Sequence, residues 1–242
     1  MKITEGIMGM SVAVEVLDEC DGTDLDAILD YFHEVDELFS TYKKTSEISK
    51  INRAELRVED ASPEVKKILR LCEETKKATN GYFDIAVEGI IDPSGLVKGF
   101  AINEASKMLM KKGYRNFYTE IGGDIDIRGY KNGQKWKVGI RDPRDKTSSL
   151  GVLHLSDVGI ATSGTYERGM HIYDPIKKKL ANEVLSLTVI GPNVYEADRF
   201  ATACYAMGKK GISFLDSIEG LEGYMITRDG KELLTKEFRK YL

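Results

Sequence analysis

Cysteine is scarce in this chain of 242 residues: Cys20, Cys72 and Cys204 stand far apart and form no CxxC pair. Such spacing supplies neither a disulfide framework nor a zinc site, and Cys72 and Cys204 fall on apolar helix faces as small hydrophobes. Positive charge is not in excess either, with a formal net charge of −4 and scattered Lys and Arg residues. A basic face for nucleic acid is therefore not expected. No apolar run approaches the ~20 residues that cross a membrane, and MKITEGIMGMSVAVEV at the start lacks the apolar core of a signal peptide. As numbered, the chain reads as cytoplasmic, or as periplasmic or membrane-anchored if a leader has been removed. Long linkers, low-complexity tracts and internal repeats are missing. GxGxxG, Walker A, GxSxG and HExxH are also absent, which disfavours the sites those motifs build.

What remains is an ordinary globular composition, 42% hydrophobic and 31% charged, long enough to bury a full core. Gly9 to Leu17 alternates like a half-buried strand, and Asp24 to Ser40 carries apolar residues at helical spacing behind a Thr23 or Asp24 cap. His33 lies beside that apolar stripe as a boundary residue. Thr41 to Asn52 breaks the pattern, with room for a short helical turn. Ser62-Pro63-Glu64 starts a helix that Asn80-Gly81 ends. Gly81 to Gly99 is strand-like but broken at Asp92-Pro93-Ser94-Gly95, and a helix is predicted from near Lys98 to Lys112. Asn116 to Arg128 and Lys135 to Ile140 flank Asn132-Gly133, a hairpin signal. Further strands are expected at Leu150–Ser156, Gly159–Ser163 and Ser186–Ile190, then a helix from Tyr195 to Met207 and another at Ile212 to Ile218. A terminal hairpin turns on Asp229-Gly230. Helices alternating irregularly with hairpin-linked strands predict an α+β fold with antiparallel or mixed sheets.

Four stretches could carry chemistry. In Gly159 to Pro175 (GIATSGTYERGMHIYDP), the small residues Thr162, Ser163 and Gly164 can expose backbone N–H groups to an anion, and His171 can exchange a proton near neutral pH. A polar hairpin with a backbone-bonded histidine explains the same residues. Asp198 and Thr202 share a helix face one turn apart, a carboxylate and a hydroxyl suited to Mg²⁺. A dipole-favoured acid and a core-filling threonine would look alike. Asp92 to Gly99 is a glycine-containing turn entering a helix, able to offer N–H groups and Lys98 to phosphate, or to serve as a plain helix start. Gly122-Gly123-Asp124 marks a bulge or a close backbone approach, to a ligand or to a neighbouring strand.

Taken in order, these segments resemble the ApbE-type FAD:protein FMN transferase family. The resemblance runs through MGM (8–10), FSTYKKTSEISKIN (39–52), GYFDIAV (81–87), DPSGLVKGFAIN (92–103) and EIGGDI (120–125). It continues through WKVGIRDP (136–143), ATSGTYER to HIYDP (161–175) and EADRFATACYAMG (196–208). It implies one domain over residues 1–242 with the T-fold-like architecture of that family and a flavin cleft between two interleaved halves. It implies FAD as substrate, Mg²⁺ as cofactor, and transfer of FMN to a Ser or Thr hydroxyl of a target flavoprotein with release of AMP. Residue by residue, it implies a metal held by the Gly95 carbonyl, Asp198 and Thr202, with Asp198 and His171 catalytic. The flavin would meet Met8, Tyr42, Asp84 and Ile172, and Asp92 and Lys98 would lie near the ribose-phosphate. His171 is the implied base. The partner implied is a subunit of a membrane redox complex, and the chain itself a monomer or homodimer. Met170 before the histidine and Asn103 in the helix depart from the family pattern. FAD hydrolysis at the same site, or storage of FAD without turnover, are the alternatives that the residues leave open.

Overall fold

The computed structural model describes residues 1–87, 89–145, 147–164 and 172–242. The chain opens with an antiparallel pair, β1 (Lys2–Ile7) and β2 (Met10–Val16), turned at Met8 and Gly9 with φ of 56° and 70°. Lys2–Ile7 is a strand that the alternation beginning at Gly9 did not announce. Helix α1 (Gly22–Phe39) buries Leu25, Ile28, Phe32, Val35 and Phe39. Its cap is Asp21, which accepts from the Thr23 N–H, rather than Thr23 or Asp24. Asp24 instead accepts from Lys112 and Tyr114 across the fold. The polar segment yields α2 (Glu47–Asn52), capped by Ser46. Helix α3 (Pro63–Ala78) begins behind Ser62 as expected, and Asn80 and Gly81 follow it in the left-handed region.

Beyond Gly81 the strand-like run shrinks to β3 (Ala86–Val87) and β4 (Ile90–Ile91), and α4 (Ser94–Lys111) begins four residues ahead of Lys98. The cause is local. The Asp92 carboxylate accepts from the Ser94 N–H, and Pro93 occupies the cap, where the missing N–H costs nothing. Asp-Pro-Ser-Gly is thus the helix start itself, and Lys98 sits in the second turn.

The next pair, β5 (Phe117–Ile121) and β6 (Asp124–Arg128), forms a hairpin closed by Gly122 and Gly123 at φ of 58° and 91°. The glycine pair is therefore a turn and not a bulge within one strand. Asn132-Gly133 does turn the chain, with Asn132 at φ 51°, but its flanks share a single Lys131–Gln134 bridge. Past it, β7 (Trp136–Arg141) pairs with β8 (Ser149–Leu155) as a separate ribbon. There follow β9 (Val158–Gly164), β10 (Tyr173–Asp174), β11 (Lys179–Leu180) and β12 (Val184–Gly191). Helices α5 (Val194–Ala206) and α6 (Lys210–Leu215) then precede β13 (Glu222–Thr227) and β14 (Glu232–Leu234).

Eight strands make one sheet in the order β1-β2-β5-β6-β9-β12-β13-β14, every pairing antiparallel. The α+β expectation holds. One face carries the helices, with Val12, Val14, Phe117, Ala161 and Leu187 of the sheet packed with Leu25, Phe32, Leu96, Ile102 and Ala197. On the other face, Trp136, Ile140, Leu153 and Leu155 of the ribbon join Phe238 against Ile127, Ile160, Ile190 and Ile226. Cys72 and Cys204 are buried, and His33 is half-exposed beside Glu5 at 2.9 Å.

Strand β6 departs from the apolar rule on its helix side. Ile125 and Ile127 face the ribbon, whereas Asp126 is buried and accepts from the Val194 N–H at 3.2 Å, pinning the first residue of α5 to the sheet. Arg128 pairs with the same carboxylate at 2.8 Å. Opposite Asp126 lies Gly159, where a Cβ would stand 1.9 Å from the Val194 nitrogen, so only glycine lets α5 come down this far.

Burial raises the Asp126 carboxyl to about 6, against the pull of Arg128 and the Val194 N–H. Between about pH 4, the ordinary aspartate value, and about pH 6, the folded chain keeps a proton that the unfolded chain has lost. The contribution of this group to stability is therefore present below that window and falls as pH rises through it. Urea unfolding of wild type and Asp126→Asn across this range should shift the difference toward the asparagine variant as pH climbs. A difference independent of pH would contradict the assignment.

Candidate active site

Helices α4 and α5 meet along two matched pairs, each one turn apart. Gly99 donates its N–H to Asp198 Oδ2 at 2.8 Å, and the Thr202 hydroxyl lies 3.5 Å from the Gly95 carbonyl oxygen. Close approach depends on both glycines. A Cβ at Gly99 would fall 2.6 Å from Asp198 Cβ and 2.8 Å from the Val194 carbonyl oxygen. At Gly95 it would meet the Thr202 methyl at 3.2 Å.

Asp198 is buried, and its carboxyl is pushed up, first by burial and then by the neighbouring Asp124 carboxylate; Lys98 pulls the other way. Asp124 begins β6 on the helix side, its side chain 2% exposed. Lys98 pairs with its Oδ2 at 2.7 Å, and the Thr162 N–H donates to Oδ1 at 3.0 Å. Gly95, Lys98, Asp198, Thr202 and the backbone of Thr162 are thus drawn together, with Asp124 between them. Sequence reasoning flagged Gly122-Gly123-Asp124 for its glycines and passed over the carboxylate. The available signal was an acid opening a strand whose alternation turns it inward.

The other expected residues are distributed as follows. Asp92 caps α4. The Thr162 hydroxyl lies 2.9 Å from that of Thr188 on the ribbon side of the sheet, and alternation puts the buried Ser163 on the helix side. Met8 is half-buried at the β1–β2 turn, adjoining the β5–β6 turn, where the Gly122 N–H donates to the Ser11 carbonyl at 2.9 Å. Ile172 packs against the helix-side core, and its carbonyl accepts from the Ala181 N–H at 2.9 Å. Asp84 pairs with Lys76 at 2.7 Å and accepts from the Ala86 N–H. Tyr42 is 95% exposed. His171 and Met170 lie outside the described residues, and Asn103 is buried within α4.

The donor set fits a hard cation. Among the described residues no three His, Cys, Asp or Glu side chains gather to hold a metal. Gly95, Thr202 and Asp198 instead offer a carbonyl, a hydroxyl and a carboxylate, the oxygen ligands that Mg²⁺ takes while keeping waters. Two buried carboxylates, Asp124 and Asp198, lie beside one ammonium, Lys98, and the crowding of the two acids is one cause of the raised Asp198 carboxyl. Added positive charge is favoured there.

The profile of the ApbE family matches residues 8–92 and 88–225. The FAD:protein FMN transferase of Escherichia coli K12 is 29% identical over 166 residues, covering 63% of this chain and 47% of that protein. The enzyme of the same name from Buchnera aphidicola is 30% identical over 180 residues, covering 68% and 53%. The aligned part spans about half the length of these curated relatives. Among solved structures, the flavin transferase ApbE from Vibrio cholerae superposes with a TM-score of 0.86 at 23% identity, covering 100% of this chain and 99% of that one. The apbe protein from Thermotoga maritima gives 0.87 at 22% identity, covering 100% and 98%. At these identities the structures show a shared fold. Among the described residues, no helix is long and apolar enough to cross a membrane.

The two glycines should respond differently to a methyl group. Gly99→Ala forces backbone and Asp198 apart and should lose about 1–3 kcal/mol. Gly95→Ala meets only side-chain atoms, the Thr202 methyl at 3.2 Å and the Phe83 ring at 3.4 Å, which need give by a few tenths of an ångström, and should stay within about 1 kcal/mol of wild type. Urea titration measures both, and equal losses would contradict the close helix contact.

Proposed function

Because the chain belongs to the ApbE family, we propose that it is a Mg²⁺-dependent FAD:protein FMN transferase. It moves the FMN half of FAD to a Ser or Thr hydroxyl of a target flavoprotein and releases AMP. The observation that carries the reading is the convergence of the Gly95 carbonyl, Asp198 and Thr202 beside the Lys98–Asp124 pair. Residues 1–242 act as one domain in this reading, with the flavin in a cleft between its two halves. The acceptor belongs to a membrane redox complex.

Breaking the diphosphate of FAD requires charge neutralisation at both phosphates and an oxygen nucleophile aimed at the flavin-side phosphorus. Bound Mg²⁺ would neutralise phosphate charge and orient the diphosphate. Gly95, Asp198 and Thr202 would hold the ion, and the Gly99 N–H orients the Asp198 carboxylate for it. Lys98 supplies a point charge to the phosphates near Asp92. Met8, Tyr42, Asp84 and Ile172 contact the flavin end. Ser163 borders the phosphates from the helix side of β9, while the Thr162 N–H stays on Asp124. His171 takes the proton of the acceptor hydroxyl as general base.

Asp198→Asn keeps the shape and removes the anionic ligand. AMP release from FAD should fall at least about 100-fold, with Thr202→Ala falling less. FAD binding, followed by flavin fluorescence, should survive in both. Unchanged AMP release in Asp198→Asn would contradict the metal role.

A further inference from the structure

Two anions and one cation share the floor of this site, and their arrangement suggests more than a static lysine. We propose that Lys98 is a stand-in cation: in the metal-free protein its ammonium occupies the charge position that Mg²⁺ takes on loading. It is then displaced onto the diphosphate of the nucleotide. The inference rests on the metal reading above and assigns a role to Asp124, the fixed anion that holds the lysine until the exchange.

The geometry supports each part. Lys98 and Gly99 are consecutive on α4, so one turn of one helix grips Asp124 through the ammonium and Asp198 through the backbone N–H. Asp124 cannot follow a departing lysine, because the Thr162 N–H holds its other oxygen at 3.0 Å and the residue starts a central strand. Lys98 is the less buried partner, with 20% of its side chain exposed against 2% for Asp124, and it is carried on the longer, more flexible stem. Charge completes the case. Asp124 and Asp198 crowd one another beside Lys98, and a divalent ion bound against these acids would compete with the ammonium for them in a poorly solvated space. Repulsion from the ion and attraction by an incoming diphosphate then act on Lys98 in the same direction. Metal and nucleotide binding become mutually favourable through a single side chain.

The test titrates MgCl₂ by isothermal calorimetry into nucleotide-free wild type, Lys98→Met and Lys98→Arg at pH 8, with near-UV circular dichroism to check folding. Lys98→Met removes the competitor and should bind Mg²⁺ at least ten-fold more tightly than wild type. The same variant should bind FAD in the presence of Mg²⁺ at least ten-fold more weakly. Lys98→Arg retains a cation on Asp124 and should show no gain in Mg²⁺ affinity, which keeps the test valid if the methionine variant is poorly folded: a gain in the arginine variant overturns the exchange. Equal or weaker Mg²⁺ binding by Lys98→Met also overturns it, while leaving the transferase reading intact. Absence of Mg²⁺ binding in all three proteins, with no AMP release from FAD, overturns the metal reading and the exchange with it.

Discussion

The closeness of α4 to α5 is the constraint from which the rest of the site follows. Without side chains at Gly95 and Gly99, the α4 backbone reaches the α5 side chains, and one buried carboxylate, Asp198, is satisfied by a main-chain N–H at 2.8 Å. A longer residue at position 99 would separate the helices by the width of a methyl group. The carbonyl, hydroxyl and carboxylate would then no longer face a common space. Helix packing and ligand geometry are here one requirement.

The sheet contributes by placing acids where its pattern would otherwise put apolar residues. Strand β6 turns Asp124 and Asp126 toward the helices: Asp126 takes the first N–H of α5, and Asp124 takes Lys98 of α4 and the backbone of β9. Burying such groups is costly unless each finds a partner. The partners found are the elements that carry the site, so the cost is offset by fixing the register of two helices on the sheet. Gly159 completes this, leaving room for the start of α5 directly over Asp126.

Much of this was legible in the sequence, for identifiable reasons. Periodicity in Asp24 to Ser40 and the Ser62-Pro63-Glu64 start described α1 and α3 closely, because local capping and apolar spacing decide those helices. The start of α4 was placed late, since Asp-Pro-Ser-Gly reads equally as a turn, and the Asp92 bond to the Ser94 N–H selects the helix. Asn132-Gly133 suggested a hairpin between its flanks, but tertiary packing sends Trp136 to the opposite face of the sheet, where it caps an apolar cluster. Spacing four apart correctly set Asp198 and Thr202 on one face. It could not reveal Asp124, which reaches them from a strand some seventy residues away in sequence. Where loop residues such as Tyr42 and Asp84 rest, the one exposed and the other paired with Lys76, has no local signature in the sequence.

The central claim is that this arrangement transfers FMN to a protein hydroxyl. The most direct measurement incubates the protein with FAD, MgCl₂ and a flavoprotein domain bearing the Ser or Thr acceptor, following AMP by chromatography and acceptor mass by electrospray spectrometry. The account predicts AMP in equal amount to acceptor that has gained the mass of one FMN. AMP with free FMN and an unchanged acceptor mass would contradict it and make the chain a FAD pyrophosphatase; bound FAD without AMP would leave it a flavin carrier.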